Sequence, residues 1–119
     1  MPHVVLEDAP NLAEACRALA PFTRREGAEI LRLLDVFINQ AGRTALLDCV
    51  VIEPGAPARS FFVQLSQKDR QITVRLLPAT DPEKTIGVKR LLGAIAGLLR
   101  DAIPGSHYGK TNLQDVLSV

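Results

Sequence analysis

Residues 44–78 alternate apolar and polar side chains in three runs that are separated by turn sequences. A period of two is typical of β-strands, because successive side chains of a strand point to opposite faces of its sheet. The runs predict strands over 44–53, 59–67 and 70–78. One face of this meander is wholly apolar and the other is half-apolar, so the chain must bury at least one side of an antiparallel sheet.

The turns at 54–58 and 67–70 predict a register for the three strands. Val51 then faces Phe61 and Leu65 faces Ile72, while Glu53 faces Arg59 in a charge pair that helps to fix the pairing. On the second face, which we call the outer face, this register gathers an apolar group at one end and a polar group at the other. The apolar group is Val50, Ile52, Phe62 and Leu77, and the polar group is Asp48, Gln64 and Thr73.

Two long apolar patterns on either side of the meander are interpreted as helices. Thr23 and Glu26 have the spacing of a capping box, and the apolar stripe that follows would end before Gly42. With that stripe in the core, Leu34→Ala would cost about 2–5 kcal/mol. The second long helix would begin at Asp81 and end near Ile103, before a Pro-Gly pair.

Shorter elements are predicted near the two ends of the sequence. Asn11 would cap a short helix over 12–20, and residues 3–6 could form an edge strand. Thr111 or Asn112 would cap a last short helix. The prediction is therefore one α+β domain, 1–119, with an N-terminal arm over 1–10 and a tail over 104–119. Its order would be α-α-β-β-β-α plus the last helix. The antiparallel meander would have three strands, or four if the arm adds one, and it would pack on two long helices.

Composition narrows the classes of function. A formal net charge of +1 and an aromatic content of 4 % argue against nucleic acid and anionic membranes as partners. The apolar run 91–99 is too short to span a bilayer, and no leader-like segment opens the sequence, which indicates a soluble cytoplasmic protein. Cys16 and Cys49 lie in apolar patterns and are expected to be buried free thiols. No motif predicts a metal ion or a cofactor.

Two further patterns suggest sites. Gly93 and Gly97 lie four apart in the second long helix, where glycine disfavours helix, so close approach of another backbone is the expected reason. That backbone could belong to the chain or to a second copy. The polar group around Asp48 could hold a small polar ligand or position a general base, although it has no partner His, Lys or second carboxylate.

The predicted order helix–three strands–helix resembles that of double-stranded-RNA-binding domains. The resemblance implies that Lys84, Lys89 and Arg90, near the start of the second helix, would meet phosphates. The chain departs from that family because the glycine- and lysine-rich stretch before this helix is absent. Asp81 and Glu83 stand in its place.

The function favoured by these patterns is a non-enzymatic interaction or assembly module whose partner is a second copy or another protein. Contact would be made through Val50, Ile52, Phe62 and Leu77, or through Gly93 and Gly97. RNA binding is the first alternative, and a ligand site or enzyme around Asp48 is the second.

Overall fold

A computed structural model describes residues 2–117 and shows a single seven-stranded antiparallel sheet. The sheet curls into a half-barrel, and its strand order is β2-β3-β4-β5-β6-β1-β7. The helices are α1 (Leu12–Ala18) and α2 (Ile86–Ala102), with single 3-10 turns at Pro78–Thr80 and Gln114–Val116. The strands are β1 (His3–Glu7), β2 (Phe22–Glu26), β3 (Glu29–Ile38), β4 (Thr44–Ile52), β5 (Arg59–Lys68), β6 (Gln71–Leu76) and β7 (His107–Thr111).

The predicted fold class is wrong, because the sheet has seven strands rather than three or four and only one helix is long. The meander itself is present as β4, β5 and β6, with the inward and outward faces as predicted. The predicted register is two residues off at both turns: Cys49 faces Phe61, and Leu65 faces Val74. A shift by two keeps every side chain on its face, which is why the pattern alone could not detect it.

The register of β5 and β6 follows from a tight turn. Lys68 pairs with Gln71, so only Asp69 and Arg70 form the loop. Asp69 adopts a positive φ of 53°, a conformation that Asp tolerates better than most residues. The predicted pairing of Leu65 with Ile72 places the two loop residues one position earlier, at Lys68 and Asp69, and therefore moves every pairing by two.

The first predicted long helix is also wrong, because its residues form the hairpin of β2 and β3. Glu26 pairs with Glu29 around a two-residue loop, and Gly27 at the first loop position has a φ of +62°. Glycine at this position is a hairpin signal, since the turn needs a left-handed residue there. Burial then alternates along the first part of β3, where Leu31 and Leu33 are buried and Arg32 and Leu34 are exposed.

The two flanking segments extend the sheet rather than cover it. β1 pairs with β6 on one side and with β7 on the other, so it is not the predicted edge strand. The predicted C-terminal helix is reduced to the turn at Gln114–Val116. The Asn11 cap is present, since its side chain accepts a hydrogen bond from the Glu14 N–H at 3.0 Å.

The core lies between the inner face of the sheet and the two helices. α2 crosses this face and contacts β1, β3, β4 and β6, and α1 packs beside it. The largest fully buried side chains come from both layers, and they include Phe61, Leu31, Leu47, Leu65, Leu91 and Ile95. Burial of this apolar area is the main stabilising contribution.

The start of α2 is held by a carboxylate from the end of β4. Glu53 accepts hydrogen bonds from the Thr85 hydroxyl at 2.6 Å, Arg59 at 3.1 Å and the Gly87 N–H at 3.3 Å. A Cβ at Gly87 would lie 2.8 Å from Val51, so only glycine fits between the helix and β4. These contacts place the first helical residue at Ile86, later than the predicted Asp81. Within residues 2–117, no helix is long and apolar enough to cross a membrane.

Candidate functional site

The outer face of the sheet is a surface that neither helix covers. Both helices pack on the inner face, and within residues 2–117 neither the first residues nor the last ones fold over the outer face. Every outward side chain of β4, β5 and β6 is therefore half-buried or exposed. The predicted contact residues Val50, Ile52, Phe62 and Leu77 are all half-buried in this position.

The corrected register rearranges the outer face into two central rows. In the first, Asp48 faces Phe62, whose C=O accepts a hydrogen bond from the Leu77 N–H at 2.9 Å. In the second, Phe37 faces Leu46, and Leu46 faces Gln64. Phe37, the last residue but one of β3, is 53 % exposed, which is unusual for a phenylalanine. The face is thus an apolar patch that contains two phenylalanines, and it has charged residues beside it.

The charged residues on the outer face are unevenly placed. Asp35 of β3 lies directly opposite Asp48 of β4, which sets two carboxylates side by side. Like charges in facing positions of a sheet repel. Arg75 lies in the neighbouring row, where its guanidinium donates to the Gln64 side chain at 3.1 and 3.2 Å. The outer face therefore carries both an acidic pair and an exposed arginine.

The predicted polar group is spread over three rows. Asp48 faces Phe62, Gln64 faces Arg75, and Thr73 faces Ser66. The Gln64 side chain accepts hydrogen bonds from Arg75, and the neighbour of Asp48 on β3 is a second carboxylate, Asp35. The three side chains therefore lie in three different rows of the outer face.

The two glycines that were predicted to mark a close approach, Gly93 and Gly97, differ in their surroundings. Gly93 is buried beneath the C-terminal segment, and a Cβ on it would lie 2.8 Å from the carbonyl oxygen of Val116. The backbone that comes close to Gly93 thus belongs to the same chain. Gly97 is half-exposed and lines a groove beside β2.

The basic residues near the start of α2 are largely engaged with carboxylates. Lys84 binds Asp81, and Arg90 binds the buried Glu29 at 2.7 Å. Lys89 is half-buried. The element order that suggested RNA binding is absent, because β2 and β3 replace the first helix of that order. These residues therefore do not present a free basic surface.

Both cysteines lie in the core. Burial raises the pKa of Cys16 to about 11 and that of Cys49 to about 12, and the nearby charge of Asp48 adds to the rise at Cys49. Among residues 2–117, no three His, Cys, Asp or Glu side chains are grouped in a way that could hold a metal ion.

The raised thiol pKa values predict alkaline sensitivity and slow thiol chemistry. A group whose pKa rises on folding contributes stability below its unfolded pKa of about 8.5, and that contribution is lost as the pH climbs through the folded values. The denaturant concentration at the unfolding midpoint should therefore decrease as the pH rises beyond that value. In the double variant Cys16→Ser/Cys49→Ser, the part of this decrease that comes from the thiols should be absent. Near neutral pH, a disulfide reagent should modify the native thiols only as fast as the chain opens. Rapid modification of both thiols in the native state would contradict their burial.

Sequence reasoning missed two residues of the outer face, Asp35 and Phe37. Both belong to the segment that was interpreted as a helix, so their faces could not be read. The Glu-Gly-Ala-Glu sequence at 26–29 is the signal that could have found them, because a hairpin there turns the following residues into a strand. No protein-family model, no curated protein and no solved structure matches this chain.

Proposed function

We propose that this chain is a small non-enzymatic interaction module that forms a homodimer through the outer face of its sheet. The observation that carries the proposal is the apolar patch around Phe37 and Phe62 on a sheet face that neither helix covers. Burial of apolar surface is worth about 25 cal/mol per Å2, and buried aromatic side chains dominate the energetics of interfaces.

The charges on the outer face favour a second copy as the occupant. A two-fold contact brings the same surface of both copies together. Each contact between two different residues therefore occurs twice, once in each direction. Arg75 of each copy would then approach the Asp35–Asp48 pair of the other. The arginine would relieve a repulsion that a monomer retains, and it would set the orientation of the two copies at the edge of the apolar patch.

Phe62→Asp is expected to weaken self-association by about a hundredfold or more, because it removes a central aromatic contact and adds a third carboxylate next to Asp48. Sedimentation equilibrium of the wild-type and variant chains measures this change. Ile86→Asp is the matched control: Ile86 is 48 % exposed but lies on α2, away from the outer face, so this variant should associate like the wild type.

Mixed variants test the role of the charges in the same assay. Arg75→Glu alone and Asp48→Arg alone should each associate weakly, since each places like charges across the interface. An equimolar mixture should associate more strongly than either variant, because each copy then meets an opposite charge on the other. A wild-type chain that stays monomeric at submillimolar concentration, or a Phe62→Asp chain that associates unchanged, would refute the proposed dimer.

A further inference from the structure

The edge strand β2 offers a second surface that the proposed dimer does not use. Among residues 2–117, β2 pairs with β3 on one side and with no strand on the other. All of its residues pair in an unbroken register from Phe22 to Glu26. Its other side is thus a straight row of backbone N–H and C=O groups that no strand pairs, the usual template for an added strand. The opposite edge strand, β7, is less suited because its register shifts between Val4 and Leu6 of β1.

A groove of about 450 Å3 lies directly beyond this edge. One wall is β2, which contributes Arg24 and Glu26, and the other is the C-terminal segment, which contributes Asp115 and Val116. The floor is the outward face of α2, where Ala94 and Gly97 have little or no side chain, whereas Gly93 lies beneath Val116 at the wall of the groove. Small floor residues let a backbone approach the helix closely, and the groove has the volume of a typical binding cleft.

The side chains of β2 define the charge of the strand that could pair with it. Arg24 and Arg25 are consecutive, so one faces the groove and the other faces the outer side. Arg24 makes a long ion pair with Glu26, 3.9 Å, and its guanidinium lies 5.4 Å from the centre of the Phe22 ring, while the side chains of Arg24 and Glu26 are both more than 40 % exposed. Two consecutive carboxylates on an added strand would lie opposite the two arginines, an arrangement that stabilises strand pairing.

The far side of the groove excludes a uniformly anionic occupant. Asp101 and Asp115 lie there, and the side chain of Asp101 is 74 % exposed even though it pairs with Arg100 at 3.7 Å. A nucleic acid or a run of acidic residues would bring negative charge to both walls. The occupant must carry negative charge opposite the arginines of β2 but none opposite Asp101 and Asp115. A peptide can do both, because its acidic residues can be confined to the positions opposite β2 while small apolar residues face α2.

We propose that an extended peptide segment of a partner protein, with two consecutive acidic residues between small apolar ones, adds to the sheet as an eighth strand beside β2. Its backbone pairs with β2, its carboxylates meet Arg24 and Arg25, and its apolar side chains lie over Ala94 and Gly97. The inference is independent of the homodimer.

A displayed library of random heptapeptides tests this site when it is selected in parallel on the wild-type chain and on Arg24→Glu/Arg25→Glu. The wild type should enrich peptides with consecutive acidic residues, and the double variant should not. With an enriched peptide carrying a fluorophore, anisotropy should show that the double variant binds at least about tenfold more weakly. Arg17→Glu, a charge change of the same kind at an exposed residue of α1, should bind the peptide as the wild type does.

Amide chemical shifts locate the bound peptide. Shifts confined to β2 and to the stripe of α2 from Gly93 to Gly97 would support the proposal. It is overturned if the wild type enriches no sequence over the double variant, if the enriched peptides lack acidic residues, or if the shifts lie on β7 or on the outer face. Equal thermal stability of the wild type and the double variant shows that a loss of binding is not a loss of fold.

Discussion

Leu31→Ala is expected to lower the free energy of unfolding by about 2–5 kcal/mol, whereas Leu34→Ala should lower it by less than about 1 kcal/mol. Leu31 is fully buried between β3 and α2, and its removal leaves a cavity in the core. Leu34 is 36 % exposed, so truncation removes few packed contacts. Denaturant unfolding followed by circular dichroism measures both changes.

This pair of variants distinguishes the observed strand β3 from the helix that the sequence suggested. On a helix, residues three apart share a face, so Leu31 and Leu34 would be buried together and would cost similar amounts. On β3, Leu34 is the residue at the irregular pairing between Leu33 and Asp35, and only Leu31 is buried in the core. Equal losses of stability in the two variants would contradict the observed hairpin.

Glu53→Ala is expected to cost about 2–4 kcal/mol, because it leaves three donors without their acceptor at the start of α2. The side chain of Glu53 is only 13 % exposed, and its hydrogen bonds join β4, β5 and the first turn of α2. The carboxylate also lies at the positive end of the helix dipole, which adds to its stabilising effect. Thermal and denaturant unfolding measure the loss.

Glu83→Ala is the matched control for this anchor. Glu83 binds the same arginine, Arg59, at 2.9 Å, but its side chain is 74 % exposed. An exposed ion pair contributes little, so this variant should cost less than about 1 kcal/mol. Glu53→Gln, which keeps an oxygen acceptor but loses the charge, should lie between the two. If Glu53→Ala and Glu83→Ala are equally stable, the carboxylate does not anchor α2.

The meander was predictable because its alternation runs through three successive strands and gives one consistent inner face. The cap at Asn11 and the long helix after the meander were also predictable, since their signals are local. β3 was not, because a run such as Ile30-Leu31-Arg32-Leu33-Leu34 fits a helical stripe as well as an alternating strand. The choice depended on Gly27, whose positive φ closes a hairpin and removes the helix.

The candidate site was predictable only in part, for a geometric reason. The outward face of Val50, Ile52 and Phe62 follows from the period of two, and a shift by two residues does not change it. The neighbours of each residue do change, so Asp48 lies opposite Phe62 rather than Gln64. The groove beside β2 depends on long-range packing of α2 and the last residues, which no local pattern encodes.

The position of β1 between β6 and β7 has a consequence for how the chain acquires its structure. β1 precedes both of its neighbours in the chain, and the His3 N–H donates to the Asn112 side chain 109 residues further along. Until these neighbours are made, the apolar residues Val4, Val5 and Leu6 have no partner strand. Pairing over such separations is slow, because long loops must close before contacts form. During synthesis β1 therefore remains without a partner strand until β6 and β7 have been made.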